Sequence, residues 1–119
     1  MTIVSVPTVD QRKRIPQAAI DDVVRKIVER FRPQKIILFG SYARGNVRPE
    51  SDVDLLVVMD APKGGERPSL QIRRMLHVMF GLDIIVYSPQ TLRQRIAWGD
   101  PFLKEAVETG KVLYESVDA

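Results

Sequence analysis

An α/β (α+β) fold, one mixed β-sheet with helices packed on it, is what the sequence predicts, on three observations. Segments with the apolar spacing of a helix alternate with short runs rich in β-branched residues, and glycine, proline or serine marks most junctions between them. The 119 residues, 45% of them hydrophobic, also suit a single core that needs no covalent staples. We therefore expect a flexible N-terminal arm over residues 1–15 and one domain over residues 16–119.

Residues 1–15 show no periodicity. Pro16 then stands where proline is best tolerated, near the first turn of a helix. Ile20, Val23, Val24, Ile27, Val28 and Phe31 follow the i, i+3, i+4, i+7 rhythm of one apolar helical face, which must end before Pro33. KIILF (35–39) reads as a buried strand closed by Gly40, and Gly40-Ser41 running into YAR predicts a sharp turn onto a short helix. After polar loop residues 46–51, DVDLLVVM (52–59) is a second strand. DAPKGGERPS (60–69) carries two prolines and two glycines and is expected to be a loop. Ile72, Met75, Leu76, Met79 and Phe80 restore the helical spacing, and Gly81 supplies a stop before a third strand, LDIIVY (82–87). Ser88-Pro89 and Asp100-Pro101 each pair an N-capping side chain with proline at the first helical position, so two short helices are expected, to Trp98 and to Thr109. Gly110 ends the second, and KVLYE (111–115) closes the sheet.

The 18 basic and 15 acidic residues leave a net charge of +3, which permits a phosphate-bearing ligand but is too mild to point to direct nucleic-acid binding. The absence of cysteine removes disulfides, thiolate metal sites and cysteine nucleophiles, and is compatible with the cytoplasm. No apolar run approaches the roughly 20 residues that cross a bilayer, so no membrane partner is expected. Arg12-Lys13-Arg14 reads as a solvated tail. Arg67, Arg73, Arg74, Arg93 and Arg95 read as solvated helix faces, His77 as an ordinary residue of a helical run, and Trp98 and Tyr114 as core or interface packing.

The chemistry lies in the acids. Side chains alternate along a strand, so Asp52 and Asp54 share a face while Val53, Leu55 and Val57 take the other. Asp83, set among apolar residues of the third strand, joins them if its strand is their neighbour. Carboxylates crowded in an apolar setting repel one another and lose hydration, which proton uptake or a cation relieves. All-oxygen ligands favour a hard cation, Mg²⁺ or Mn²⁺, and Mg²⁺ is usually held by one or two carboxylates, with waters and substrate phosphates completing its shell. Two such ions about 4 Å apart activate an attacking oxygen and stabilise a leaving one in phosphoryl chemistry. The Gly40-Ser41 turn complements this: glycine lets backbone amides approach a ligand, a helix N-terminus favours anions, and the Ser41 hydroxyl adds a donor. Arg44 adds a positive charge nearby.

Each of these features is common alone, and their combination is not. A strand, Gly-Ser, ten intervening residues, Asp-x-Asp on a second strand and one Asp on a third resemble the nucleotidyltransferase superfamily typified by polymerase beta. More narrowly, GSYARG…SDVDLLV resembles the minimal nucleotidyltransferase (MNT) family of prokaryotes. The resemblance spans residues 24–115, and the core motif is intact.

What the resemblance implies is a polymerase-beta-like fold in which Asp52, Asp54 and Asp83 are the metal-binding catalytic triad for two Mg²⁺ ions. Gly40 and Ser41 would contact the nucleotide phosphates, and Asp83 would lie nearest the attacking hydroxyl. The implied reaction moves a nucleoside monophosphate, AMP from ATP, onto a hydroxyl and releases pyrophosphate. Several family members are antitoxins that adenylylate a tyrosine of a HEPN ribonuclease toxin, so a HEPN toxin is the expected partner and acceptor. With no acceptor-binding domain expected, the partner must present the hydroxyl. The competing readings are an antitoxin that only binds, its site vestigial, and a transferase acting on a small molecule. Oligomeric state is left open.

Overall fold

The computed structural model describes residues 14–61 and 67–117. Helix α1 (Gln17–Phe31) buries Ala19, Ile20, Val23, Val24 and Ile27 along one stripe and ends where Arg32 turns left-handed ahead of Pro33. Burying one large apolar side chain is worth about 1.5–3 kcal/mol, so this stripe, more than helix propensity, holds α1 in place. Strand β1 (Lys35–Phe39), helix α2 (Ser41–Arg44) and strand β2 (Val53–Val58) follow. Next come α3 (Pro68–Met75), β3 (Leu82–Tyr87), α4 (Pro89–Ala97), α5 (Pro101–Thr109) and β4 (Lys111–Glu115). The expected caps form: Ser88 Oγ accepts from the Thr91 N–H and Asp100 Oδ1 from the Leu103 N–H, both at 3.1 Å.

The strands make one mixed sheet in the order β3-β2-β1-β4, with β2 parallel to β3 and β1 antiparallel to both β2 and β4. Alternation divides the core in two. Ile36, Leu38, Val53, Leu55, Val57 and Ile84 pack with α1 and with Ile72 of α3 on one face. Ile37, Phe39, Leu56 and Val58 pack with Leu92, Leu103 and Ala106 of α4 and α5 on the other. The result is helix, sheet, helix in three layers.

The third helix departs from expectation. It begins at Pro68, inside the span read as loop, and stops at Met75, because Leu76 turns extended with φ −87° and ψ 131°. Ile72 and Leu76 are buried in the core, but Met79, which the helical spacing would turn inward, is 84% exposed, and Val78 and Phe80 pack partly against the core from the non-helical connection to β3. His77 therefore lies in an exposed connection rather than in a helix. Trp98 caps α4 at 76% exposure, outside the core.

Residues 1–13 of the expected arm, Arg12 and Lys13 included, and residues 62–66 of the expected loop lie outside the described residues. Ile15 is completely buried (0% exposed), and its N–H donates to the Tyr42 hydroxyl at 2.7 Å. The Arg14 guanidinium lies 5.2 Å from the centre of the Tyr42 ring. Among the described residues no helix is long and apolar enough to cross a membrane.

Candidate active site

The mixed topology gathers the predicted site residues at one end of the sheet. Parallel β2 and β3 both begin there, and antiparallel β1 ends there, so Gly40 and α2 arrive beside the first residues of the other two strands. The register sets Asp54 opposite Phe39 on one side and opposite Asp83 on the other. Strand adjacency, which the sequence left as a condition, thus places the two acids side by side. Both lie on the face that carries Leu56, Val58, Ile85 and Tyr87, where α4 and α5 cover the sheet. Phe39 meets Phe102 of α5 edge to face, ring centres 5.6 Å apart, and closes the apolar side of the site.

The electrostatics follow from this crowding. Burial pushes the Asp54 carboxyl up from its usual 3.8 to about 6. The neighbouring Asp83, by its charge and a shared hydrogen bond, and then Asp52 add to the rise, while the Arg44 charge opposes it. Two glycines make room for the acids. Gly40 has φ 73°, and a Cβ there would overlap Asp54 Oδ2, so the position excludes a side chain on conformation and on space alike. A Cβ on Gly81 would overlap Asp52 Oδ1. Gly81 also accepts the Val53 N–H at 2.9 Å, which fixes Asp52 at the mouth of β2.

Gly40 is the N-cap of α2, and its carbonyl accepts the Ala43 and Arg44 N–H groups at 3.1 Å each. Ser41 is the first residue of that helix, where amide groups lack intrahelical acceptors. Arg44 extends to Glu105 of α5, with Nη1 at 3.8 Å from Oε1, so part of its charge is already shared. A cleft of about 630 Å³ opens beside the acids, lined by Asp52, Arg73, His77, Met79 and Asp83 among others.

Among the described residues no three His, Cys, Asp or Glu side chains stand preassembled around a metal ion. The site offers instead the Asp54 and Asp83 pair, with Asp52 close enough to raise Asp54 by its charge. That all-oxygen, excess-negative donor set fits a hard cation that brings most of its own ligands.

Two residues join the predicted six. Gly81 stands behind Asp52 rather than ending a helix. Arg73 of α3 donates from Nη2 to the Leu82 carbonyl and lies 3.3 Å from Asp83 Oδ1. A glycine directly before an acid-bearing strand is the trace that could have revealed the first. Nothing in the spacing announces the second, because the contact forms only when the end of α3 folds back on β3.

The nucleotidyltransferase domain family matches residues 20–116 of the chain. A Methanocaldococcus jannaschii protein provisionally named a protein adenylyltransferase is 35% identical over 102 residues, covering 82% of this chain and 97% of that protein. Protein adenylyltransferase MntA of Thermococcus cleftensis is 34% identical over 77 residues, covering 61% of this chain and 73% of the relative. Among solved structures, a provisionally assigned nucleotidyltransferase from Sulfolobus solfataricus aligns with a TM-score of 0.58 at 20% identity, over 82% of this chain and 78% of that one. A toxin-antitoxin crystal structure with AMP-PNP aligns with a TM-score of 0.58 at 21% identity, over 82% of this chain and 75% of that one. At such identities the structural likeness shows a shared fold, the mixed sheet with its helices.

Proposed function

The chain belongs to the nucleotidyltransferase domain family, and from that premise we propose that it transfers AMP from ATP to a hydroxyl of a partner protein, as the antitoxin of a HEPN ribonuclease toxin. The observation that carries this reading is the Asp54 and Asp83 pair on adjacent parallel strands, with Asp54 set against the Gly40 turn and its carboxyl pushed up to about 6 by burial and by the crowding of its neighbours. Relatives named protein adenylyltransferases support the adenylyl group and the protein acceptor. The toxin-antitoxin structure with AMP-PNP supports the nucleotide and a toxin partner.

In this mechanism the bare Gly40 backbone lets the triphosphate approach α2, where the Ser41 hydroxyl and first-turn amides donate to phosphate oxygens and Arg44 offsets their charge. Asp52, Asp54 and Asp83 would hold Mg²⁺, whose chemistry there would be to polarise the α-phosphate and ease deprotonation of the attacking hydroxyl. Asp83, which borders the cleft, orients that hydroxyl and accepts its proton. The hydroxyl oxygen bonds to the α-phosphorus, the bond to the β-phosphate oxygen breaks, and pyrophosphate leaves.

The test is transfer of label from ATP, in Mg²⁺, to a co-purified HEPN partner. Asp52→Asn and Asp54→Asn are each expected to reduce labelling by about 100-fold or more, the scale on which loss of one transition-state electrostatic contact is felt. Labelling that persists in both variants would sink the assigned site. Mutants that lose labelling yet still neutralise the toxin would point to inhibition by binding alone.

A further inference from the structure

We propose that Arg73 is the resident counter-ion of the carboxylate pair, a guanidinium that holds the Asp83 side of the site until a divalent cation displaces it. The inference rests on reading that pair as a cation site. Arg73 sits in the last turn of α3, donates to the Leu82 carbonyl, and places Nη2 3.3 Å from Asp83 Oδ1. It also lines the cleft that Asp52 and Asp83 border. One guanidinium therefore bridges the backbone of β3 and the more exposed of the two paired acids.

The two contacts differ in strength under competition. The Arg73 and Asp83 side chains are 48% and 60% exposed, so their ion pair is solvated and readily exchanged. A carboxylate cannot serve a guanidinium and a hard dication equally with the same oxygen, and the dication carries twice the charge. The Leu82 carbonyl carries no net charge and draws a dication less strongly than the carboxylate does. On displacement Arg73 keeps this anchor and pivots away from Asp83, remaining a positive charge in the cleft it lines. Arg73 is thus a positioning residue. It lowers the affinity of the bare site for metal, so that occupation favours metal arriving together with a triphosphate that repays the lost pair.

The experiment is a titration of the full chain with Mn²⁺ in the absence of nucleotide, free Mn²⁺ being read by electron paramagnetic resonance. Arg73→Gln is expected to bind Mn²⁺ roughly two- to fivefold more tightly than the parent, the factor an exposed ion pair is worth. Arg73→Lys, which keeps the charge but replaces the planar guanidinium with a compact ammonium, is expected to fall between them, and is the variant read if Arg73→Gln fails to fold. Arg93→Gln removes the same charge beside Lys35 at the other end of β1, and is expected to match the parent. Arg73 variants no tighter than the parent overturn the counter-ion role. If the parent then still binds Mn²⁺ and Asp54→Asn does not, the cation site itself stands. Absence of binding in both the parent and the Arg73 variants overturns both readings.

Discussion

Asp54 holds its carboxyl near 6 in the folded chain against the usual 3.8. Between those values the folded state binds more protons than the unfolded one, so the free energy of unfolding falls as pH rises through the window and levels off above about 6. The stabilising contribution is fully present below the unfolded value and lost above the folded one. Metal-free protein is thus expected to melt at a lower temperature on the neutral side of the window than on its acid side. Asp54→Asn, which cannot ionise, should flatten that difference and equal or exceed the parent at neutral pH. A parent that gains no stability over the variant on acidification would contradict the assignment. Gly81→Ala crowds the other acid, Asp52. The colliding atoms belong to the exposed Asp52 side chain, which can rotate away, so stability should change by about 1 kcal/mol or less while AMP transfer drops. Equal activity in that variant would remove Asp52 from the site. Strand alternation made Asp52 and Asp54 legible from their spacing. Gly81 and Arg73 were not, because a residue's contact across a turn depends on where the turn ends.

Elements were legible where a capping residue or proline fixed a boundary, as at Ser88-Pro89, Asp100-Pro101 and the end of α1. They were misjudged at α3, where five apolar residues kept the helical spacing but the helix stops at Met75, Met79 is exposed and Phe80 meets the core from the non-helical connection to β3. Apolar spacing states what a helix could bury; the return path to β3 decides what it does bury. The brace on α2 was equally invisible. Tyr42 follows directly on the Gly40-Ser41 turn, and its buried hydroxyl accepts the Ile15 N–H, so the entry to α1 steadies the candidate phosphate turn. Tyr42→Phe strands a buried donor and should cost about 1–3 kcal/mol in urea unfolding. Ile15→Ala should cost about 2–5 kcal/mol, since the side chain is fully buried. Wild-type stability in Ile15→Ala would show that the segment does not hold α2.

Across the whole molecule, the alternating order of elements foretold the layered α/β architecture, but not which strand would lie beside which. The order β3-β2-β1-β4 turns a scattered set of acids into a pair, and a single rung of the β2-β3 ladder carries it. That rung joins two stretches of chain separated by the connection between β2 and α3. Cleavage there would leave one fragment with Gly40, Ser41, Asp52 and Asp54 and another with Arg73 and Asp83. Neither fragment alone possesses the paired carboxylates. The protein therefore has the logic of an AND gate: fused to two proteins that meet, the halves should recover AMP transfer only as the strands re-register. Complementation between parent fragments, absent when the second carries Asp83→Asn, is the expected outcome. Transfer by either fragment alone would show that the rung is dispensable. A carboxylate pair split across one backbone ladder makes the sheet itself a reporter of proximity.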